Sequence, residues 1–418
     1  MRKTILVKGP VLSQSGYGEQ ARFALRALKT REDIFDIYIC PISWGKTGWV
    51  SLNNEERRWI DERVSKYQTY AQHGGSYDIS LQITIPNEWE KLAHTNIGYT
   101  AGIETTRVSP LWVQKANEMD HIIVVSNHSR DTYKGAQYRA QHPQTGQIVL
   151  LECDTPFTVV NYPVRSFDTQ KLNLNLEHNF NFLAISQWGP RKNFDNLINW
   201  FIEENYDQDV GLILKTSIRN NSIMDRIHTE HRLKNILDKH GDRKCNVYLI
   251  HGDLTEEEMT SLYRHPKVKC LISTTHGEGF GLPLFEAAHN GLPVITTNWS
   301  GQKDFLNIPQ KNGKLVPHFL TVEYDLENVQ KEAVWKSVIQ EDSQWAFPRE
   351  ASFKRKMREV RKEYKKHKRR ATKLQKYIIE TFTEEKQYKL FVDSIVPYDL
   401  VEQESVDDLF AALMENQS

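Results

Sequence analysis

Two carboxylates, Glu278 and Glu286, stand eight residues apart in the stretch THGEGFGLPLFEAAHNGLPVITT, residues 275–297, with Gly279, Gly281 and Pro283 between them. A carboxylate offers two acceptor oxygens, which suits the vicinal hydroxyls of a sugar or a ribose. The preceding VKCLIST reads as a buried parallel strand. Pro283 suits the first turn of a helix whose end Gly291 would cap. HGEGFG is then the loop at the carboxyl end of a strand, opening onto a helix N-terminus, the edge where ligands bind in open α/β sheets. Glycines let a ligand approach the backbone closely. Free amides at a helix start suit an anion such as a pyrophosphate. A nucleotide sugar, with hydroxyls at both ends and a diphosphate between, has that layout. The competing structural reading is one capping acid plus one that offsets the helix dipole, each worth about 0.3–1 kcal/mol.

Such a loop needs a parallel sheet behind it, and the chain supplies the pattern twice. TILVKG, DIYICPI, ISLQI, NIGYT and HIIVVS read as strands, alternating with the helical GEQARFALRALK, SPLWVQKANEM and NHSRDTYKGA, and TVVNYPV closes the half. After a polar, Asn-rich stretch, FNFLAIS, VGLILKTS, CNVYLIHG, VKCLIST and PVITT alternate with NFDNLINWFIEEN, SIMDRIHTEHRLKNILDKHG and TEEEMTSLYR. Strand–helix alternation argues for parallel α/β sheets covered on both faces. The expected fold is therefore α/β, with two Rossmann-like domains facing across a cleft. Residues 1–165 would form the N-terminal Rossmann-like domain, 166–181 the linker and hinge, 182–350 the C-terminal Rossmann-like domain, and 351–418 a basic helix and acidic tail. From Ser352 to Ile379, Phe353, Met357, Val360, Tyr364, His367, Ala371, Leu374 and Ile378 recur at steps of four and three, which predicts one long helix with a single apolar stripe. VDDLFAALM in the tail reads as a short docked helix.

Bulk properties exclude several classes. Formal net charge is zero over 418 residues, so the whole molecule is not a general polyanion binder. No apolar run approaches the ~18 residues of a membrane span, and the apolar stretch after MRKT is too short for a signal peptide. Cys40, Cys153, Cys245 and Cys270 are far apart, with no metal-like spacing, and read as free thiols in a cytoplasmic protein, or in a host cytoplasm if the chain is viral. No metal site is expected. SWGKTG holds only half of a phosphate loop, because Cys40 stands where the first glycine is needed, and GEGFGL ends on Leu282 where a dinucleotide fingerprint needs glycine. Asp207 and Asp209 precede a strand, on the wrong edge of the sheet for a metal-binding pair.

EGFGLPLFE, continued by AAHNGLPVITTNWSG, resembles the acid–seven residues–acid signature of the group 1 retaining glycosyltransferases of the GT-B fold. CNVYLIHGDLTEEEMTSLYRHPKVKCLIST is similar to that family's nucleobase-contacting turn, helix and strand, SQWGPRKNFDNLI to its phosphate-binding segment, and HIIVVSNHSRDTYKGA to the last strand–helix of its first domain. The resemblance spans roughly residues 95–320, and it implies that 1–165 is the acceptor domain, that 182–350 is the nucleotide-sugar domain and that the basic helix and tail at 351–418 return to the first domain. It implies transfer of a hexosyl or pentosyl group from a nucleotide-diphosphate sugar to a hydroxyl acceptor, with retention and no metal cofactor. By it, Glu278 contacts the donor sugar, Glu286 the ribose, and Lys192 with Arg191 the diphosphate, assisted by Lys215. Gly252, Asp253 and Leu254 hold the base through their backbone. Gly279, Phe280, Gly281 and Leu282 line the donor site, and Gly16 and Gly18 lie against its phosphates. Glu104 and His276 stand on the acceptor side. The family usually carries an arginine five residues before Lys192, where this chain has Gln187.

The acceptor expected first is a saccharide or lipid-linked glycan. Thirteen Lys or Arg residues between Lys354 and Lys376 raise an alternative, an anionic surface or nucleic acid, and with it a viral-type enzyme that glycosylates a hydroxylated base in DNA through Lys362, Lys366 and Arg369. The competing reading of that run is a solvated helix face whose charges pair with acids of the tail. An alternative of another class is a nucleotide-sugar epimerase, which shares the two-domain fold.

Overall fold

The computed structural model of the chain describes residues 2–141 and 146–396. The acidic tail, with its expected short helix at 406–414, lies outside the described residues. The first half runs β1 (Lys3–Gly9), α1 (Gly16–Lys29), β2 (Phe35–Pro41), α2 (Glu55–Gln72), β3 (Ile79–Ile83), β4 (Thr95–Thr100), α3 (Pro110–Ala116), β5 (His121–Val124) and α4 (Asn127–Lys134). A ribbon of β6 (Tyr138–Gln141) and β7 (Ile148–Leu151) follows, then β8 (Phe157–Val159). Strands pair in the order β2-β1-β3-β4-β5-β8, all parallel.

The second half runs β9 (Asn181–Gln187), α5 (Phe194–Asn205), β10 (Gly211–Ser217), α6 (Ile223–Leu237), β11 (Asn246–Ile250), α7 (Glu256–Arg264), β12 (Val268–Ile272), α8 (Leu282–His289), β13 (Val294–Thr297) and α9 (Lys303–Leu306). After the pair β14 (Asn307–Pro309) and β15 (Leu315–Pro317) comes β16 (Leu320–Val322), then an antiparallel ribbon of β17 (Tyr324–Asn328) and β18 (Gln344–Pro348). The parallel order β11-β10-β9-β12-β13-β16 reverses direction between β9 and β12, the switch point where open sheets bind ligands. The chain thus has two six-stranded Rossmann-like sheets, as the strand pattern implied.

The basic C-terminal segment is not one helix. It divides into α10 (Glu350–Lys362) and α11 (Tyr364–Thr381) at Glu363, whose φ of −115° and ψ of 33° leave the helical region. The apolar stripe still holds across the break, with Phe353, Met357, Val360, His367, Ala371, Leu374 and Ile378 all buried. The break redirects the chain from α5, against which α10 packs, to α8, against which α11 packs. A further helix, α12 (Glu384–Asp393), packs on α1, with the Phe391 ring edge-on to Phe23 at 5.2 Å. Helix α2 was not foreseen, because only Trp59 and Ile60 of it are buried and it carries no apolar stripe. Of the cysteines, Cys245 and Cys270 are buried, and Cys40 and Cys153 are half-buried free thiols.

Candidate active site

Both loops at the second sheet's switch point carry charge. The strand β9 ends at Gln187, and a turn at Pro190–Lys192 follows before α5. The strand β12 ends at Ile272, and residues 273–281 lead into α8. The hydroxyl of Thr274 ties the loops by donating to the Asn193 carbonyl at 3.0 Å. The Lys192 ammonium therefore meets both Glu278 oxygens, at 2.6 and 2.8 Å, and Arg191 reaches Glu278 at 3.1 Å and the Gly277 carbonyl at 2.6 Å. From the other domain, Glu104 approaches Arg191 at 3.2 Å. The backbone N–H of Glu278 donates to Ser300 Oγ at 2.8 Å. Ser300 is a non-glycine residue with φ of 63°, a constraint that sequence reading did not single out.

Two cations thus alternate with two carboxylates. Burial opposes ionisation of Glu278, but Lys192 and Arg191 override it and hold the carboxyl at about 2. Burial lowers the Lys192 ammonium, and the neighbouring Arg191 lowers it further. Burial works against the Arg191 charge as well, while Glu104 and Glu278 raise its pKa. An anion arriving between Lys192 and Arg191 finds both cations already desolvated and oriented, the condition under which fixed charges act most strongly.

The glycine-rich turn is where the domains touch. A Cβ on Gly277 would lie 2.6 Å from the Glu104 carbonyl oxygen, and one on Gly279 would lie 2.5 Å from that of Ala101. The Ser126 hydroxyl donates to the Gly279 carbonyl at 2.6 Å. Gly281 adopts φ of 98° at the start of α8 and leads into Leu282. The ring of Phe280 is buried between Tyr162, Phe285 and Phe305, so only its backbone is offered to a ligand. On the opposite sheet, a Cβ on Gly18 would strike the Ser13 carbonyl oxygen at 1.9 Å, so packing alone requires that glycine. Exposed Gly16 has nothing within 4 Å, and packing gives no reason for it.

The turn after β11 is rigidly supported. Gly252 has φ of 94°, and the Lys215 ammonium donates to its carbonyl at 2.6 Å. Lys215 thus braces the expected base-binding turn, where sequence reading had it assisting the diphosphate. Asp253 accepts a hydrogen bond from Asn221, and Leu254 is half-buried. Asp225, which was not anticipated, accepts from the amides of Ile218, Arg219 and Asn220 and pairs with His251 at 2.9 Å, locking this edge. Gln187, where the family's arginine would stand, turns away and donates to the Ile218 carbonyl at 2.9 Å.

Glu286, in the first turns of α8, is held by the Tyr263 hydroxyl at 2.7 Å. Burial pushes its carboxyl up to about 7; the Tyr263 bond works against that shift, and Glu256 and Glu19 add to it. The two acids of the motif are thus driven in opposite directions. Because the folded value lies above the unfolded one near 4.5, the proton on Glu286 stabilises the fold fully below pH 4.5. That contribution is lost as pH rises through about 7. The stability difference between the native protein and E286Q should therefore shrink from pH 8 to pH 5 in calorimetric melts, as the native carboxyl regains its proton. A difference that does not change over that range would show that Glu286 ionises normally.

His276 does not stand open on the acceptor side. It is 1% exposed, its Nδ1 meets the Ala346 carbonyl at 2.7 Å, its Nε2 meets Gln330 Nε2 at 3.0 Å, and its ring stacks on Trp345 at 5.0 Å. Burial lowers its imidazole to about 4. It is a neutral structural residue rooting the β17–β18 ribbon.

No curated protein matches the chain in sequence. Residues 165–323 match the family described as Glycosyl transferases group 1. In solved structures the fold recurs in Anabaena HepE in complex with UDP and glucose, 13% identical with a TM-score of 0.58, covering 94% of this chain and 99% of that one. It recurs in sucrose-phosphate synthase from Thermosynechococcus elongatus, 14% identical with a TM-score of 0.58, covering 98% and 100%. A UDP-forming trehalose-phosphate synthase from Burkholderia xenovorans is 10% identical with a TM-score of 0.60, covering 94% and 99%. Residues 165–323 are by that match a group 1 glycosyltransferase domain, set in a chain whose two facing Rossmann-like sheets form the GT-B fold.

Proposed function

We propose that the protein transfers a sugar from a UDP-sugar to a hydroxyl acceptor, a saccharide or lipid-linked glycan, with retention of configuration. The observation that carries this reading is the Glu278–Lys192–Arg191–Glu104 cluster at the facing carboxyl edges of both sheets. In the reaction the bond from the sugar C1 to the phosphate oxygen breaks, and UDP leaves with the electron pair. The acceptor oxygen bonds C1 on the same face, and its proton passes to the leaving phosphate. Lys192, Arg191 and the amides at the start of α8 hold the charge that builds on the diphosphate. Glu278 holds the sugar hydroxyls, and Glu286, through the oxygen not bound by Tyr263, the ribose. UDP is chosen because the HepE structures contain UDP, glucose and UDP-glucose.

The basic helices favour this acceptor over DNA. Arg355 pairs with Glu323, Arg358 with Glu204, Lys356 with Glu359 and Lys366 with Glu363, while Lys368 and Arg370 donate to the Gly291 and Pro317 carbonyls. Much of the charge run is thus spent on the enzyme's own fold, and these pairs lie in the sheet domain and the helices themselves. Among the described residues no helix is long and apolar enough to cross a membrane.

The test is incubation of the protein with single UDP-sugars, water serving as acceptor, followed by proton NMR. The expected result is release of UDP together with the α anomer of the sugar from an α-linked donor, unaffected by a chelator because the two cations supply the charge. Initial release of the β anomer overturns retention. Conversion of the donor to its epimer without UDP release identifies an epimerase instead.

A further inference from the structure

The group 1 match stops at residue 323, one residue before β17 begins. The segment 329–343 between β17 and β18 leaves the nucleotide-sugar domain and enters the other one. Its side chain Val338, 4% exposed, belongs to the apolar cluster of Trp89, Ile103, Val108 and Trp112 in the first domain. The carbonyl of Ser337, a residue with φ of 63°, accepts from Ser109 Oγ at 2.8 Å and from Asn87 Nδ2 at 3.4 Å. The Thr106 amide donates to the Gln344 carbonyl at 2.8 Å, the Gln344 amide donates to Thr106 Oγ1 at 3.1 Å, and Arg107 pairs with Asp342. At its root the ribbon is fixed to His276, whose carbonyl accepts from Ala346 N at 3.0 Å, and to Gln330, which accepts from Trp345 Nε1 at 3.0 Å. The turn at Lys331–Ala333 lies beside Pro190–Lys192.

This strap therefore grips residues 106–109 at one end and flanks the cation pair at the other. Between the grips lies Glu104, two residues before the first held one and 3.2 Å from Arg191. We infer that the strap is a positioning element for the transfer reaction, with Val338 as its anchor: it holds Glu104 on Arg191 across the cleft, so that an arriving diphosphate must exchange places with Glu104. The inference rests on Arg191 binding the diphosphate as proposed above. Freeing Arg191 strengthens its hold on the anion, and the same effect follows from removing Glu104 or from loosening the strap that presents it.

The test is a double-mutant cycle read by calorimetric UDP binding, with amide exchange as a second readout. E104A should bind UDP about fivefold more tightly than the native protein, the size expected of coupled neighbours. V338A should tighten UDP in the same direction, V338I should restore the native value, and V338A added to E104A should do nothing more. Amide exchange at residues 103–109 should rise in V338A while the melting temperature stays within a few degrees. Equal effects of V338A in both backgrounds, no effect of V338A on UDP, or unchanged exchange at 103–109 each overturn the inference. UDP binding that is indifferent to K192A would instead sink the donor-site reading, and the exchange result would still decide whether Val338 holds the Glu104 loop.

Discussion

Replacement of Lys192 by alanine is expected to lower turnover of a UDP-sugar by about 10²–10³-fold, the loss seen when one preorganised charge-stabilising donor is removed. No other group in the cluster meets both Glu278 oxygens, at 2.6 and 2.8 Å, and its ammonium is the compact charge at the start of α5. Arg191 does not compensate, because its guanidinium is divided between Glu278, Glu104 and the Gly277 carbonyl. The substitution should also destabilise the fold at neutral pH by about 3–5 kcal/mol, since it leaves the buried Glu278 with half its counter-charge. That penalty has a sign in pH. The Glu278 carboxyl is held at about 2, so its pairing stabilises the native protein above the unfolded value near 4.5 and ceases to do so as pH falls through 2. The melting difference between native protein and K192A should therefore be largest near neutrality and shrink in acid. Turnover within about threefold of native in K192A would refute the assignment of the diphosphate to this pair.

Those charges were legible in sequence because each lies where a parallel strand ends. The apolar runs FNFLAIS and VKCLIST fix β9 and β12, and whatever follows them must meet at the switch point. Gly291 and Pro283 mark the ends of α8 in the same local way. What the sequence hid depends on contacts between distant segments. The side chain of His276 is drawn under the ribbon by Ala346, Gln330 and Trp345, some 54 to 70 positions away, and nothing in THGEGFG announces that. The strap is unreadable for a related reason: VWKSVIQED is short, mixed and without period, and its apolar anchor Val338 is buried by the other domain. The helix break at Glu363 escaped because a stripe in steps of four and three continues through it, so periodicity alone reports one helix where packing on α5 and then α8 requires two. Lys215 shows the opposite lesson, because a cation near a strand end suggests a phosphate contact, yet its hydrogen bond goes to the Gly252 carbonyl.

Substitution of Gly279 by alanine should leave the fold intact and abolish most activity. Gly279 and Gly277 are not among the residues with positive φ, so alanine meets no backbone strain at either position. The atoms an added methyl would strike belong to the other domain: the Ala101 carbonyl oxygen at 2.5 Å for Gly279, and the Glu104 carbonyl oxygen at 2.6 Å for Gly277. The clash exists only while the domains touch, and the protein relieves it by opening. Opening parts Glu104 from Arg191 and withdraws Ser126 from the Gly279 carbonyl, so the two edges no longer face each other at reaction distance. A displacement of about 1 Å in such a site costs about 10²-fold in rate, and G279A should lose at least that much turnover. Its melting temperature should stay within a few degrees of native, and small-angle scattering should show a larger radius of gyration. G281A is the internal comparison. Gly281 has φ of 98°, so alanine there is strained within its own domain by about 1–2 kcal/mol, and the loss should appear in stability. If G279A melted far below native while G281A did not, the glycines of this turn would be serving the loop's own backbone, and the account of them as the contact surface of a closed cleft would fail.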